Sequence, residues 1–400
     1  MAGWRSPRST RSLSINEMIR RLSVSVVLFA MASAIAWLTW QTVPSKSRSK
    51  DHLDAELQDI LSELVTRDQS VKNCVVSVVK GDGSFAWSGA AGRIQGDVAM
   101  SKDTPIYIAR ITKLYKATVI MMLFERGAVA LDDPMAKYLP HALIDRIHVY
   151  AGTDYSNNIT VRELLAHRSG IAGYYTEKAS GGKSLFDELV KNPERRWTVR
   201  ETIDRARELR PKFPPGTDTS YSDTNFQLLG MIIEEATEKP LHVVFEEILF
   251  RPLRLDHTWL VGFSRSPLVT PADVFFSDTS ITSIRSNGSY WADGGIVSTA
   301  DEMNRFLKAL KGGRLIRSNT LAMMHDWHQW EFPLQYGLGT MYFAMNGVFL
   351  PRRPRSTSSA RHAARNRPAA DLSTCELCAE SIAEARNNEV GIATPIVRSV

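Results

Sequence analysis

Apolar positions recur along this chain in three rhythms. One is unbroken: Leu22 to Trp40 contains no charged residue. A second is helical. Leu53, Leu57, Ile60, Leu61, Leu64 and Val65 fall at helical spacing and predict a helix from Leu53. Ala109 to Arg126 repeats the pattern, with Ile111, Leu114, Tyr115, Thr118, Val119 and Met122 expected on one side and Gly127 as the stop. Thr160 is a plausible N-cap, with Glu163 in the capping-box position before Leu164 and Leu165. Asn225 to Ala236, Leu241 to Phe250 and Thr299 to Leu310 also read as helices. The last carries Asp301 and Glu302 in its first turn, where the helix dipole favours acids. The third rhythm is strand-like. Cys74 to Val79 and Phe85 to Ala91, joined through Gly81-Asp82-Gly83, predict a hairpin; Leu255 to Phe263 and Tyr336 to Phe349 also read as strands. Strands flank a large helical middle and do not alternate with helices, which predicts an α+β domain on an antiparallel sheet.

Composition sharpens this outline. The 400 residues are 44% hydrophobic and 23% charged, ordinary for a globular chain with one large domain. The net charge of +6 is uneven, with much of the excess before residue 22 and between Arg352 and Arg367. Both regions read as solvated segments. With no RRM, KH or zinc-finger pattern, no nucleic-acid partner is expected. Arg5, Arg8, Arg11, Arg20 and Arg21 precede the uncharged run, which at ~1.5 Å per residue is about long enough to cross a bilayer. It reads as a signal peptide or an uncleaved signal anchor, the basic flank staying in the cytoplasm and the rest outside. Ala32-Ser33-Ala34 resembles a cleavage site but lies inside the run, and Trp37 and Trp40 suit the interface, which favours an anchor. The expected organisation is a basic segment at 1–21, the membrane segment at 22–40, a linker at 41–50, the main domain at 51–349 and a basic, disordered tail at 350–400. The tail's Arg, Ser, Ala and Pro bury too little to offset ordering entropy. Cys74, Cys375 and Cys378 are an odd set, and a lone C-x-x-C predicts no metal site. The nucleotide-binding and H-E-x-x-H signatures are absent, so no cofactor is expected.

Several short motifs remain: Ile108-Ala109-Arg110-Ile111-Thr112-Lys113, Phe124 to Gly127, Leu131 to Pro134, Leu164 to Gly170 (L-L-A-H-R-S-G), Pro215-Gly216, Tyr221 to Asn225 (Y-S-D-T-N), Gly294 to Ala300 (G-G-I-V-S-T-A) and Tyr336 to Gly339 (Y-G-L-G). Each alone is weak. In this order, over about residues 50–349, they resemble the serine β-lactamase-related family of class C β-lactamases, DD-peptidases and penicillin-binding proteins. The resemblance implies a β-lactamase/transpeptidase-like fold, an antiparallel sheet beside a large helical region, and acyl transfer on β-lactams, peptidoglycan peptides or small esters. In the family motif S-x-x-K the lysine lies one helical turn from the serine and on the same face. The serine attacks, a lysine or tyrosine takes its proton, and backbone N–H groups hold the oxyanion.

Carried over residue by residue, Lys113 matches that lysine and Tyr221 the tyrosine of Y-x-N. Asp223 stands where the family often has Asn, as a substrate-binding residue or as a cap of the helix near Asn225. Gly294 and Gly295 are expected to allow close backbone approach, and His167 to be structural. Two departures are severe. The serine position is Arg110, which is permanently charged and no nucleophile. Thr112 is expected to point away from the Arg110 face. The third motif, K-T-G or H-x-G, is missing after Phe349, so the C-terminal sheet strands are expected to be incomplete. A shifted reading frame after that residue would produce such a tail. The expectations are therefore an envelope hydrolase homologue with lost or impaired activity, a non-catalytic protein recognising peptidoglycan or a carboxylate ligand through Arg110 and Lys113, or a damaged product.

Overall fold

The computed structural model describes residues 49–343, except 69–70, 95–97, 180–181, 265–268, 277–278, 281–290, 292 and 332–333. The expected membrane segment, the continuation of the strand to Phe349 and the tail with Cys375 and Cys378 lie outside the described residues. Among the described residues no helix is long and apolar enough to cross a membrane. The chain divides into a first unit, residues 1–53, and a second, residues 54–400. Apart from the first residues of one helix, the second carries everything below.

The opening hairpin forms as its pattern predicts. Strand β1 (Asn73–Val79) pairs antiparallel with β2 (Ala86–Ile94) from Asn73↔Gly92 to Val79↔Ala86, and β2 continues onto β3 (Val98–Ala99). Helix α1 (Lys50–Arg67) packs Leu61, Leu64 and Val65 with Val71, Cys74 and Trp87. A second sheet places β10 (Ile296–Ser298) between β4 (Ile106–Tyr107) and β7 (Trp259–Leu260). A third joins β11 (His328–Gln329), β12 (Leu334–Tyr336) and β13 (Met341–Phe343). Small hairpins, β5 (Val149–Tyr150) with β6 (Thr153–Asp154) and β8 (Phe275–Phe276) with β9 (Thr279–Ser280), complete the strands. Every strand pair described is antiparallel, as an α+β chain requires.

Two expected strands are shorter. Between Leu255 and Phe263 only Trp259 and Leu260 pair, because Leu255 still closes onto Phe250 O and Gly262 turns the chain at φ +79°. From Tyr336 onward the chain turns at Gly337 to Thr340 and returns as β13, making a hairpin in place of one strand.

The caps were legible. Thr160 and Glu163 exchange the expected side-chain bonds at the start of α3 (Val161–Leu165). Thr299 caps α8 (Ala300–Lys311). The acids of that first turn do more than answer the dipole. Asp301 Oδ1 accepts from Ser77 Oγ at 2.9 Å and Ser88 Oγ at 2.7 Å, fastening the first hairpin to α8. Buried Glu302 accepts from Thr258 Oγ1 at 2.5 Å and from the His257 N–H.

Helix α2 (Thr112–Glu125) is the centre of the fold. The spacing predicts one apolar side, but every residue from Thr112 to Leu123 is buried. The reason is enclosure: α6 (Asp223–Thr237), β10 and α8 all border it, with Tyr115 stacked on Phe306 of α8 at 3.8 Å between ring centroids. A helix apolar all round is a core helix. Lys113, described below, and Lys116 are its charged exceptions. Lys116 is fully buried, and its Nζ donates to Phe226 O at 2.6 Å. Burial drives this amine well below the usual lysine range. Phe226 O lies inside α6, where the helix ladder supplies its own donor. Lys116→Met is therefore expected to stabilise the chain by about 1–3 kcal/mol in urea unfolding at neutral pH. The unfolded lysine binds its proton below about pH 10.4. The burial cost thus shrinks as pH rises, and the variant's advantage should fade towards that value. A lower midpoint for the variant would show that the Phe226 bond outweighs the cost.

Candidate functional site

The start of α2 is broken where the sequence predicts continuous helix. Ala109 has φ +43°, a region costly for a residue with a Cβ, and Ala109–Ile111 form a 3₁₀ turn before the α-helix begins at Thr112. The turn is pinned by the neighbouring strand. Ile108 N donates to Ile296 O at 3.0 Å, and Ile296 N donates to Thr112 Oγ1 at 3.2 Å. The Thr112 hydroxyl is thereby buried and engaged with β10.

Two other motifs clasp each other beside this turn. His167, at φ +54°, accepts from Ser222 N at 3.1 Å through Nδ1, which places its proton on Nε2. Ser169 Oγ donates to Asn225 Oδ1 at 2.7 Å, and Ser220 N donates to His167 O at 2.9 Å. Burial, with Lys113 adding to it, keeps the His167 imidazole neutral by holding its pKa well below the usual range. These contacts fit the structural role expected of His167. They also set the start of α6: Ser222 is the N-cap residue, and Asp223 is the first helical residue, not a cap.

Lys113, Tyr221, Asp223 and Arg110 come together. Lys113 Nζ donates to Asp223 Oδ1 at 2.8 Å and to Asp293 O at 2.9 Å, with both side chains of the ion pair almost fully buried. Burial opposes the ammonium, but Asp223, Tyr221 and Asp293 outweigh it and raise the amine above its usual value. Burial likewise opposes the Asp223 carboxylate, and Lys113 and Arg110 outweigh it and lower its pKa. The Tyr221 ring is stacked on Trp330 at 5.3 Å and tilted on His167 at 4.3 Å. The half-buried Arg110 sets its guanidinium 4.8 Å from the same ring centroid, and Lys113 Nζ lies 5.0 Å from it. Burial raises the Tyr221 phenol, whose hydroxyl lies beside Lys113 without a hydrogen bond of regular geometry.

Gly294 follows the carbonyl that receives Lys113. At Gly295 a Cβ would stand 3.1 Å from both Leu260 Cδ1 and Trp291 O, which accounts for glycine where β10 enters the sheet. Sequence reasoning missed Asp293, although it abuts the Gly294-Gly295 motif. Its Oδ2 accepts from Tyr174 Oη at 3.0 Å, and burial pushes its carboxyl up to about 7. It also missed Trp330, which no motif marks. A surface cavity of about 420 Å³ lined by Arg146, Arg200, Arg207 and Asp145, among others, includes none of these residues.

The geometry can therefore hold a charged lysine between two carboxyl-bearing residues under an aromatic wall. It presents no hydroxyl at the position one turn before Lys113.

A family model described as β-lactamase matches residues 57–364. Penicillin-binding protein 4 of Amycolatopsis lactamdurans is 28% identical over 205 residues, 51% of this chain and 48% of that protein. The D-alanyl-D-alanine-carboxypeptidase/endopeptidase AmpH of Escherichia coli (strain K12) is 31% identical over 156 residues, 39% of this chain and 37% of its own length. The chain thus spans about half or less of these relatives. The D-stereospecific amidohydrolase from Streptomyces sp. superposes with a TM-score of 0.60 at 29% identity, covering 72% of this chain and 82% of that one.

Proposed function

This chain belongs to the β-lactamase family, and from that premise we propose that it is a cell-envelope serine-hydrolase homologue whose acyl transfer is lost or strongly impaired at Arg110. The ancestral substrates on this reading are β-lactams, peptidoglycan peptides, or small esters and amides. The relatives are a penicillin-binding protein, a carboxypeptidase/endopeptidase and an amidohydrolase by name, which supports that range. The N-terminal run Leu22 to Trp40 supports placement outside the membrane on a signal anchor.

One observation carries the reading. Where the motif calls for serine, a guanidinium lies over the Tyr221 ring. Acylation needs a hydroxyl oxygen to bond to the carbonyl carbon while its proton passes to an acceptor. A permanently protonated guanidinium offers neither a nucleophilic lone pair nor a place for that proton.

Incubation of the full chain with a fluorescent penicillin, followed by denaturing electrophoresis, tests this. No covalent label is the expected result. A labelled peptide from the 108–126 region would overturn it. Reversible, saturable binding without a covalent label would favour the non-catalytic binding reading instead. In that case the carboxylate is recognised through Arg110 and Lys113, with two of the three Lys113 donors already committed.

A further inference from the structure

The loss of the nucleophile is visible in the sequence. A further loss, beyond the missing third motif, is visible only in the surroundings of Lys113. We propose that Asp223 is a positioning residue that holds Lys113 as a fixed ammonium, so that the site lacks a proton acceptor as well as a nucleophile. The proposal rests on the acyl-transfer reading of this site and names what blocks it beyond Arg110.

The geometry is specific. A neutral asparagine at position 223 could accept a hydrogen bond from either an amine or an ammonium. An aspartate 2.8 Å from Nζ, with both groups out of water, strongly favours the ammonium over the neutral amine. Asp293 O takes a second donor at 2.9 Å. An amine serving as a base must point its lone pair at the attacking hydroxyl, and Lys113 has no lone pair while it stays charged.

The other groups around Lys113 do not reverse this. From the segment before α6, Tyr221 presents its ring and a protonated phenol. From the segment after α3, His167 stays neutral. From the turn before β10, the Asp293 carboxyl adds to the attraction whenever it is ionised. On the lysine's own segment, Arg110 opposes the ammonium, and burial lowers the Lys116 amine well below the usual lysine range one turn further along. Asp223 is the group whose replacement releases the proton.

The step that would then become available balances simply. In a β-lactam, the serine oxygen bonds to the carbonyl carbon, the lactam C–N bond breaks, and the hydroxyl proton passes through the Lys113 amine to the departing nitrogen. With a charged lysine the first proton has nowhere to go.

The test compares Arg110→Ser with the Arg110→Ser, Asp223→Asn double variant, in the full chain, for the rate of labelling by fluorescent penicillin across pH. The double variant is expected to label about 10²-fold faster than the single one, the scale of a general base. Its rate should rise with pH as Lys113 deprotonates. Equal rates and equal pH profiles would overturn the proposal. A second measurement needs no serine. In ¹³C-lysine NMR of the native chain, the Lys113 Cε signal should remain that of an ammonium through the ordinary lysine value of about pH 10.4, and Asp223→Asn should bring its titration down. Titration of native Lys113 at or below that value would overturn the lock. If the lock is seen but neither serine variant labels, the lock stands and the acyl-transfer reading of the site fails.

Discussion

Replacement of Asp223 by alanine is expected to destabilise the chain by about 3–5 kcal/mol, the usual cost of stranding one partner of a buried ion pair. Lys113 would keep its hydrogen bond to Asp293 O but lose the only carboxylate bonded to its amine among the described residues. Lys113→Met alone should cost a similar amount by stranding Asp223. The double variant should recover most of the loss, because an apolar pair of similar volume is often neutral in such a place. Urea unfolding of the four proteins checks this, and additive losses would show that the two side chains are not coupled. The pH dependence has a definite sign. Asp223 has a lowered folded pKa, so its contribution is present above the unfolded carboxylate value of about 3.9 and is lost as pH falls through the folded value. Lys113 has a raised folded pKa, so its contribution is present below about 10.4 and is lost only in strong alkali. The penalty in Asp223→Ala should therefore be nearly flat from about pH 5 to 9 and shrink in acid.

Gly339→Ala is the second large effect. Gly339 has φ +74°, and its N–H donates to Leu165 O at 3.1 Å. A Cβ there would stand 2.2 Å from Ala117 Cβ, one turn along α2 from Lys113. The new methyl meets a helix that is itself enclosed, so neither side can move aside. Overpacking and the left-handed backbone together should cost about 3–5 kcal/mol. Ala117→Gly in the same chain should return the steric part while leaving the backbone part. A thermal midpoint equal to the native one would mean that the Tyr336 to Gly339 turn is free to shift. The Gly339 contact gives the Y-G-L-G motif its physical content: its last glycine is where the third sheet touches the central helix.

The features that could be read from the chain alone are those decided over a few residues. The Thr160 and Glu163 capping box, the Thr299 cap and the β1–β2 hairpin follow from side chains that meet their own near neighbours, and all three formed. The ordered motifs also placed Arg110, Lys113, Tyr221 and Asp223 at one site, and the absence of serine at 110 needs no coordinates. Tertiary structure decided the rest. The helix expected from Ala109 begins at Thr112, because β10 holds Ile108 and Thr112 from outside the segment. The one-sided pattern of α2 became burial on every side because α6, α8 and β10 surround it. Asp293, beside a motif but not part of it, and Trp330, which no motif marks, joined the site from far along the chain. The charge on Lys113 was the least legible feature. An aspartate in place of asparagine is a small change on paper. Whether it fixes a proton depends on how much water is excluded around both groups, and that exclusion is set by every element packed against them.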